Sequence, residues 1–204
     1  MKAQIIQGKE YEILMKKDGQ PIRCFIFDLD GTLVSTQVAN FKAYQRAFAD
    51  VGVRLTKSKY GRHFGLRFAE LIEEIAPNLT KSQRQRVLRA KSIYYKKNFE
   101  FLKLNLPLVG FLKMLTKDYK VALATTASQK NAQQVLRKFN LLNTFDVTVF
   151  GEDVKRSKPA PDCYLLCMAR LRVKPKECLV FEDSEVGIIA AMRSGANVLR
   201  VPKL

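Results

Sequence analysis

Residues 25–32 read Phe25-Ile26-Phe27-Asp28-Leu29-Asp30-Gly31-Thr32, an apolar run that leads directly into two acids and a glycine. Apolar runs of this length are typical of strands buried inside a parallel sheet. Ligands of open α/β sheets bind outside the carboxyl ends of the strands, so we expect Asp28 and Asp30 to face such a crevice. Taken alone, Asp-x-Asp-Gly is more typical of a turn, and its meaning depends on the rest of the chain.

A second pair of acids, Glu182-Asp183, also follows an apolar run, at residues 178–181. Buried like charges are unfavourable unless a cation neutralises them or one of them is protonated. If the two strand ends converge, they supply hard oxygen ligands of the kind that Mg²⁺ prefers. The second acidic strand end therefore favours a magnesium site over a simple turn.

Hydroxyl and ammonium groups suited to a phosphate occur in two further segments. Thr125 and Thr126 follow the apolar run 121–124, which places a hydroxyl at a strand end where it can donate to a phosphoryl oxygen. Lys158 precedes Pro159, and that position disfavours helix. Lys158 is therefore expected on a loop, from which its ammonium can turn inward. Each residue alone has an ordinary structural explanation, and the set carries the interpretation.

Short apolar runs alternate with helical patterns along the chain, and this alternation predicts an α/β fold. The predicted strands are 22–28, 120–125, 145–150, 178–182 and 197–201. The predicted helices between them are 129–139, 161–171 and 185–193. We expect a Rossmann-like parallel sheet core with helices on both faces.

The interval between the first two predicted strands holds an insertion. Thr32 and Val121 are 89 positions apart, whereas a simple crossover needs about a dozen residues or a little more. Helical patterns in this interval predict a helix that ends at Gly52 and further helices over 66–75 and 82–101. We expect an α-helical cap at 35–104, inserted into an α/β core formed by 21–34 and 105–204.

Residues 1–20 are expected to be an N-terminal extension. Within it, Tyr11–Leu14 could form a strand, and Asp18-Gly19 is a turn signal.

The composition is that of a soluble globular protein with a large basic excess: 36 Lys+Arg against 19 Asp+Glu give a formal net charge of +17. No apolar run approaches the roughly 20 residues needed to cross a bilayer, and the N-terminus lacks a signal-peptide pattern. The four cysteines form no Cys-x-x-Cys pair. We therefore expect a cytoplasmic protein with reduced thiols and no membrane association.

Most of the basic excess lies in the predicted insertion, where residues 35–105 carry 15 basic and 5 acidic side chains, a net of +10. Its densest part, Lys81–Lys97, contains no acid and includes Tyr94 and Tyr95. A nucleic-acid-binding surface is one interpretation of this run. We favour a solvated helix face, because no recognised nucleic-acid motif accompanies the charge.

The acids, hydroxyls and lysine occur in a fixed order that resembles the four motifs of the haloacid dehalogenase-like superfamily. The matching segments are Asp28-Leu29-Asp30-Gly31-Thr32, Thr125, Lys158-Pro159-Ala160-Pro161-Asp162 and Glu182-Asp183-Ser184 with Gly187. The position of the insertion resembles the helical-cap class, in the branch of phosphatases and β-phosphoglucomutases. The resemblance implies a phosphoric monoester hydrolase that acts on a small phosphorylated metabolite of the sugar or nucleotide phosphate class.

The resemblance also implies a role for each motif residue. Asp28 would attack phosphorus and form an aspartyl-phosphate, and Asp30 would act as general acid and base. The metal ligands of Mg²⁺ would be Asp28, Asp30 through its main-chain carbonyl, and Asp183, with Glu182 close by or ligating directly. Thr125 and Lys158 would hold phosphoryl oxygens, with Thr126 beside them.

The insertion contains a segment, 61–67, that resembles the loop with which relatives recognise the leaving group. Arg62, His63 and Arg67 could contact an anionic substrate there, although each is as typical of a solvated loop.

Two alternatives to the phosphatase stay open. The first is a phosphomutase, although relatives with that activity usually carry a histidine where this chain has Asn40. The second is a binding module that uses its basic surface on nucleic acid or another polyanion. A dehalogenase is not expected, because those relatives have a tyrosine at the position of Asp30.

Overall fold

The computed structural model describes residues 4–6, 9–14 and 21–204. The chain divides into two compact units, which are described separately. The α/β unit comprises the described residues up to Val34 and residues 104–204, and the helical unit is Ser35–Lys103. Within the described ranges, no helix is both long and apolar enough to cross a membrane. The predicted turn at Asp18-Gly19 lies outside the described residues.

Strands of the α/β unit form a mainly parallel sheet. The described strands are β1 (Gln4–Ile6), β2 (Lys9–Leu14), β3 (Cys24–Phe27), β4 (Val34–Ser35), β5 (Lys103–Leu104), β6 (Lys120–Ala124), β7 (Val147–Val149), β8 (Cys178–Glu182) and β9 (Asn197–Arg200). Seven of them pair in the order β1-β2-β9-β8-β3-β6-β7, and β4 pairs with β5 separately. The strands from β9 to β7 are parallel, as the alternation of patterns predicts, whereas β1 and β2 add in antiparallel orientation at one edge. The predicted strand Tyr11–Leu14 lies within β2.

Strand β3 lies at the centre of the parallel strands and is buried along its whole length. In the register of the sheet, Phe27 lies beside Phe181 of β8 and Leu123 of β6. The three strands therefore end at the same level. This register brings the polar residues that follow them to one edge of the sheet, as the sequence predicts.

Helices cover both faces of the sheet. The helices are α1 (Gln37–Ala49), α2 (Lys57–Arg62), α3 (Phe68–Ile75), α4 (Lys81–Lys97), α5 (Leu106–Leu115), α6 (Gln129–Lys138), α7 (Asp162–Leu171) and α8 (Glu185–Arg193). Ile26 of β3 shares a buried cluster with α7 and α8. Its neighbour Phe25 faces the opposite side, since side chains alternate along a strand, and its ring contacts Phe111 of α5 edge to face. The predicted α/β class is thereby confirmed.

The helical unit has a core of its own that is rich in aromatic rings. Tyr44 and Phe48 of α1, Tyr60 of α2 and Ile72 of α3 belong to one buried cluster, which Val87 of α4 completes. Helix α4 begins at a capping box, in which the Thr80 hydroxyl accepts a hydrogen bond from the Gln83 amide and the Gln83 side chain accepts one from the Thr80 amide.

Sequence patterns predict the helices of this unit only in part. Helix α2 is absent from the predictions, and it includes Gly61 and Arg62, which were expected in a loop. Its six residues are too few to show a periodic pattern. The predicted helix 82–101 ends at Lys97 and is followed by a single 3₁₀ turn at Phe99–Phe101.

Most of the basic run on α4 lies on the exposed side of the helix, as a solvated face requires. Lys81, Arg86, Arg89 and Lys96 are exposed. Lys91 differs, because it is only 5% exposed. Its ammonium lies 4.3 Å from the ring centre of Tyr95 and 5.0 Å from that of Tyr44, so cation–π contacts offset part of the cost of burial.

The aromatic cluster predicts a large effect of a truncation at Phe48, which is fully buried. Phe48→Ala removes buried surface and leaves a cavity, and we expect it to lower the free energy of unfolding by about 3–5 kcal/mol. Lys96→Ala on the exposed side of α4 is the control, with an expected change within about 0.5 kcal/mol. Urea unfolding followed by circular dichroism measures both, and equal effects of the two variants would contradict the packing described here.

Candidate active site

Three acids meet at the carboxyl edge of the sheet. Asp28 follows β3, Glu182 ends β8 and Asp183 follows it, and each offers a carboxylate oxygen within 4.8 Å of the others. All three side chains are buried. The sequence predicts this convergence, and the register of β3 and β8 produces it.

The Lys158 ammonium lies among these acids. It donates to Asp28 Oδ1 at 2.7 Å and to Glu182 Oε1 at 2.6 Å, and its side chain is only 3% exposed. A third hydrogen bond reaches the carbonyl of Ala124 at 3.3 Å. Lys158 lies in the turn before α7, and its ammonium does turn inward from there. The two short bonds to carboxylates use two of the three ammonium donors, and the long bond to a neutral carbonyl leaves the third available for exchange with a stronger acceptor.

Burial and neighbouring charges shift the pKa values of Asp28, Asp183 and Lys158. Burial raises the pKa of Asp28 well above its ordinary value, Lys158 opposes this, and the neighbouring acids add to it. Burial and the charge of Glu182 raise the pKa of Asp183 to about 6. Burial alone would lower the pKa of Lys158, but Asp28 and Glu182 outweigh it and raise that pKa. Three buried acids against one buried ammonium form a donor set that fits a divalent cation.

The absence of a side chain at Gly31 leaves the space that the Asp183 carboxylate occupies. The Thr32 hydroxyl donates to Asp183 Oδ1 at 2.9 Å. The carboxylate lies so close to Gly31 that a Cβ there would be 2.4 Å from Oδ2. Gly31 also has a φ of +101°, which disfavours any other residue. The glycine of Asp-x-Asp-Gly is therefore required by both conformation and space.

Asp30 and Thr125 are brought together from positions 95 residues apart. The Thr125 hydroxyl donates to Asp30 Oδ2 at 3.3 Å and accepts a hydrogen bond from the Ala127 amide at 3.0 Å. Thr125 is buried, whereas Asp30 is half-buried. Thr126 follows as a half-buried residue, and its carbonyl packs against Gly151, where a Cβ would come within 2.4 Å.

The remaining predicted site residues lie in the helical unit. Arg62 is exposed at the end of α2 and donates to the Ser58 hydroxyl at 3.4 Å. His63 is half-buried and caps the same helix. Arg67 is half-buried at the start of α3, where its amide donates to the Glu70 carboxylate at 3.1 Å. A role for these three in recognising a substrate stays a prediction.

Tyr164 was missed by sequence reasoning. It lies on α7, is fully buried, and its hydroxyl donates to Glu182 Oε1 at 3.2 Å. Its ring centre is 4.9 Å from the Lys158 ammonium. Tyr164 shares the apolar face of α7 with Cys167, Met168 and other core residues, so its spacing indicates only a core position. The usable signal was its hydroxyl, since a buried tyrosine usually finds a hydrogen-bond partner.

Known proteins of similar sequence indicate which family the chain resembles. Residues 25–201 match the family described as haloacid dehalogenase-like hydrolase. A phosphorylated carbohydrates phosphatase from Thermotoga maritima is 38% identical over 83% of this chain and 80% of its own length. A fructose-1-phosphate phosphatase, YqaB, from Escherichia coli is 31% identical over 86% of this chain and 94% of its own.

A solved structure is also similar. The crystal structure of CbbY from Rhodobacter sphaeroides in complex with phosphate has a TM-score of 0.79 and 26% identity, over 87% of this chain and 84% of that one.

Gly187 provides the test of how tightly Glu182 is held. A Cβ at Gly187 would lie 1.8 Å from Glu182 Oε1, so Gly187→Ala must displace that carboxylate from its partners. We expect a loss of about 1–3 kcal/mol in the free energy of unfolding.

The matched control is Gly110→Ala in α5, where a Cβ would meet no atom within 4 Å. That substitution should be neutral or stabilise by up to about 1 kcal/mol. Urea unfolding distinguishes the two variants, and a neutral Gly187→Ala would mean that the Glu182 carboxylate is free to move.

Proposed function

This chain belongs to the haloacid dehalogenase-like hydrolase family, and on that premise we propose that it is a Mg²⁺-dependent phosphatase of a small phosphorylated metabolite. Relatives named as phosphatases of phosphorylated carbohydrates and of fructose 1-phosphate favour the sugar phosphate class, with nucleotide phosphates as the second class. The observation that carries the proposal is the buried Asp28 carboxylate, held by Lys158 beside Asp183 and followed by Asp30.

The proposed reaction proceeds in two displacements. A carboxylate oxygen of Asp28 attacks phosphorus, the bond to the ester oxygen breaks, and Asp30 gives its proton to that leaving oxygen. Water then attacks the aspartyl-phosphate and gives a proton to Asp30. The bond between Asp28 and phosphorus breaks, so the acid is regenerated and orthophosphate is released.

The metal would be held by Asp28 and Asp183 through carboxylate oxygens and by Asp30 through its main-chain carbonyl. When bound, Mg²⁺ supplies positive charge that lets the anionic nucleophile and the phosphoryl group approach each other. This agrees with the buried, acid-rich donor set of the cluster.

Lys158 and Thr125 would stabilise the phosphoryl oxygens in the transition state. Both side chains are buried at the same edge of the sheet as Asp28. Donors aimed at developing charge in a site shielded from water contribute much of the catalysis of phosphoryl transfer. Arg62, His63 and Arg67 are the candidates for recognition of the leaving group.

Substitution of the nucleophile is the first test. Asp28→Asn removes the attacking carboxylate and should lower kcat for a generic aryl phosphate on the order of 10³-fold or more. Asp118→Asn, the same change at an exposed position, is the control and should leave kcat unchanged. Phosphate release is the measurement, and activity retained in Asp28→Asn would rule out the aspartyl-phosphate mechanism.

Metal binding is tested without turnover. A ligand that binds only the folded state stabilises it by about 2.7 kcal/mol at 100 times its Kd, so Mg²⁺ should raise the Tm of the protein. Asp183→Asn should abolish this shift, and Asp118→Asn should keep it. An equal shift in Asp183→Asn and the control would place the metal elsewhere.

The same preparations separate the alternatives. A phosphomutase would interconvert sugar phosphates without releasing phosphate. A wild-type protein that is inactive on a broad panel of phosphate esters, but binds DNA or RNA in a salt-dependent manner, would overturn the enzyme proposal in favour of a polyanion-binding module.

A further inference from the structure

The Glu182 carboxylate has a complete set of protein donors. Its Oε1 accepts from the Lys158 ammonium at 2.6 Å and from the Tyr164 hydroxyl at 3.2 Å. Its Oε2 accepts from the amide and the hydroxyl of Ser184 at 3.0 and 3.1 Å. A carboxylate offers about four lone-pair sites. Residues of this chain therefore use the whole acceptor capacity of Glu182, whose side chain is 1% exposed.

The two aspartates beside it differ. Asp28 accepts from Lys158 through Oδ1, and Asp183 accepts from Thr32 through Oδ1. The Asp183 carboxylate also accepts a hydrogen bond from its own backbone amide. Both aspartates thus accept fewer hydrogen bonds than the four that a carboxylate can take. Each keeps acceptor capacity for a cation, whereas Glu182 would have to release donors to bind one.

The surroundings of Glu182 oppose such a release. Ser184 is the N-cap of α8, where its hydroxyl accepts from the Gly187 amide at 3.1 Å while it donates to Glu182. Gly187 itself lies against the carboxylate, at a distance that admits no side chain. The start of α8 and the carboxylate thus hold each other in place.

Tyr164 contacts both members of the ion pair. Its hydroxyl donates to Glu182, and its ring faces the Lys158 ammonium at 4.9 Å. The hydrogen bond from the hydroxyl fixes the orientation of the Glu182 carboxylate. The ring stabilises the charged form of Lys158 through a cation–π contact. Because the tyrosine is fully buried in the packing of α7, it is a rigid support for the pair.

We propose that Glu182 is not a metal ligand but the fixed anchor of Lys158, and that Tyr164 is a positioning residue that holds this anchor. The proposal rests on the proposed function, in which Lys158 stabilises a phosphoryl group. It divides the acids of the cluster into metal ligands, Asp28 and Asp183, and a support for the lysine, Glu182.

Titration of the protein with Mg²⁺ alone, by calorimetry and without substrate, tests the first part. Glu182→Gln and Asp183→Asn each remove one buried charge from the cluster, so they form a matched pair. As a supporting group, Glu182→Gln should raise the Kd for Mg²⁺ by about 10-fold. Asp183→Asn should raise it by about 100-fold or more. Equal losses in the two variants would overturn the assignment of Glu182.

Tyr164→Phe tests the second part, because it keeps the ring and removes only the donor to Glu182. We expect kcat to fall by about 10-fold with KM changed less than about 2-fold, and the Kd for Mg²⁺ to stay unchanged. The Ki of orthovanadate, which resembles the phosphoryl transition state, should rise by about the same factor as kcat falls. A purely structural role would reduce the amount of active enzyme and leave both KM and this Ki unchanged.

Tyr95→Phe, at a second fully buried tyrosine in the helical unit, is the control and should leave kcat and the vanadate Ki unchanged. An unchanged vanadate Ki in Tyr164→Phe would overturn its positioning role. If Tyr164→Phe fails to fold, Ser184→Ala removes another donor from Glu182, and the same rise in Ki is expected. Failure of the proposed function would be seen differently, as a wild-type protein that neither binds Mg²⁺ nor hydrolyses phosphate esters.

Discussion

The ion pair of Lys158 with Asp28 and Glu182 is the interaction on which the rest of the site depends. Three carboxylates approach one another inside the protein, and such an arrangement is unfavourable without compensating positive charge. The Lys158 ammonium gives part of that compensation through hydrogen bonds of 2.6 and 2.7 Å. The negative charge that remains is of the kind that a bound divalent cation could neutralise.

Small residues let the acids come this close. Gly31 and Gly187 each lie where a Cβ would collide with a carboxylate, of Asp183 and Glu182 respectively. Thr32 and Ser184 then donate to the same two groups. Asp183 and Glu182 each lie beside one glycine, which leaves space for the carboxylate, and one hydroxyl, which fixes its orientation. These four short residues therefore determine where the negative charges lie as well as the local backbone conformation.

The sequence predicts the sheet and the acid cluster well for a physical reason. Buried parallel strands are continuous apolar runs, and the residues that end them must meet at one edge, so Asp28, Glu182 and Asp183 could be placed together. The proline after Lys158 predicts a loop there, from which the ammonium can turn inward. The spacing of Tyr164 indicates a core position, but it does not identify Glu182 as the partner of its hydroxyl, because a hydrogen bond across the core has no periodic pattern.

In the helical unit, by contrast, helix α2 is shorter than the windows over which periodicity can be read. The burial of Lys91 was also outside the reach of the sequence, since its cation–π partners Tyr44 and Tyr95 become neighbours only through folding. Spacing therefore predicts the elements whose residues share a simple repeat. It does not predict contacts that depend on the packing of one helix against another.

A crystal structure with Mg²⁺ and orthovanadate would show directly whether the acids divide into metal ligands and a support for the lysine. We expect vanadium bonded to a carboxylate oxygen of Asp28, the metal on Asp28 and Asp183, and the Lys158 ammonium in contact with both vanadate and Glu182. A metal coordinated by Glu182, with Lys158 displaced from that carboxylate, would contradict this division.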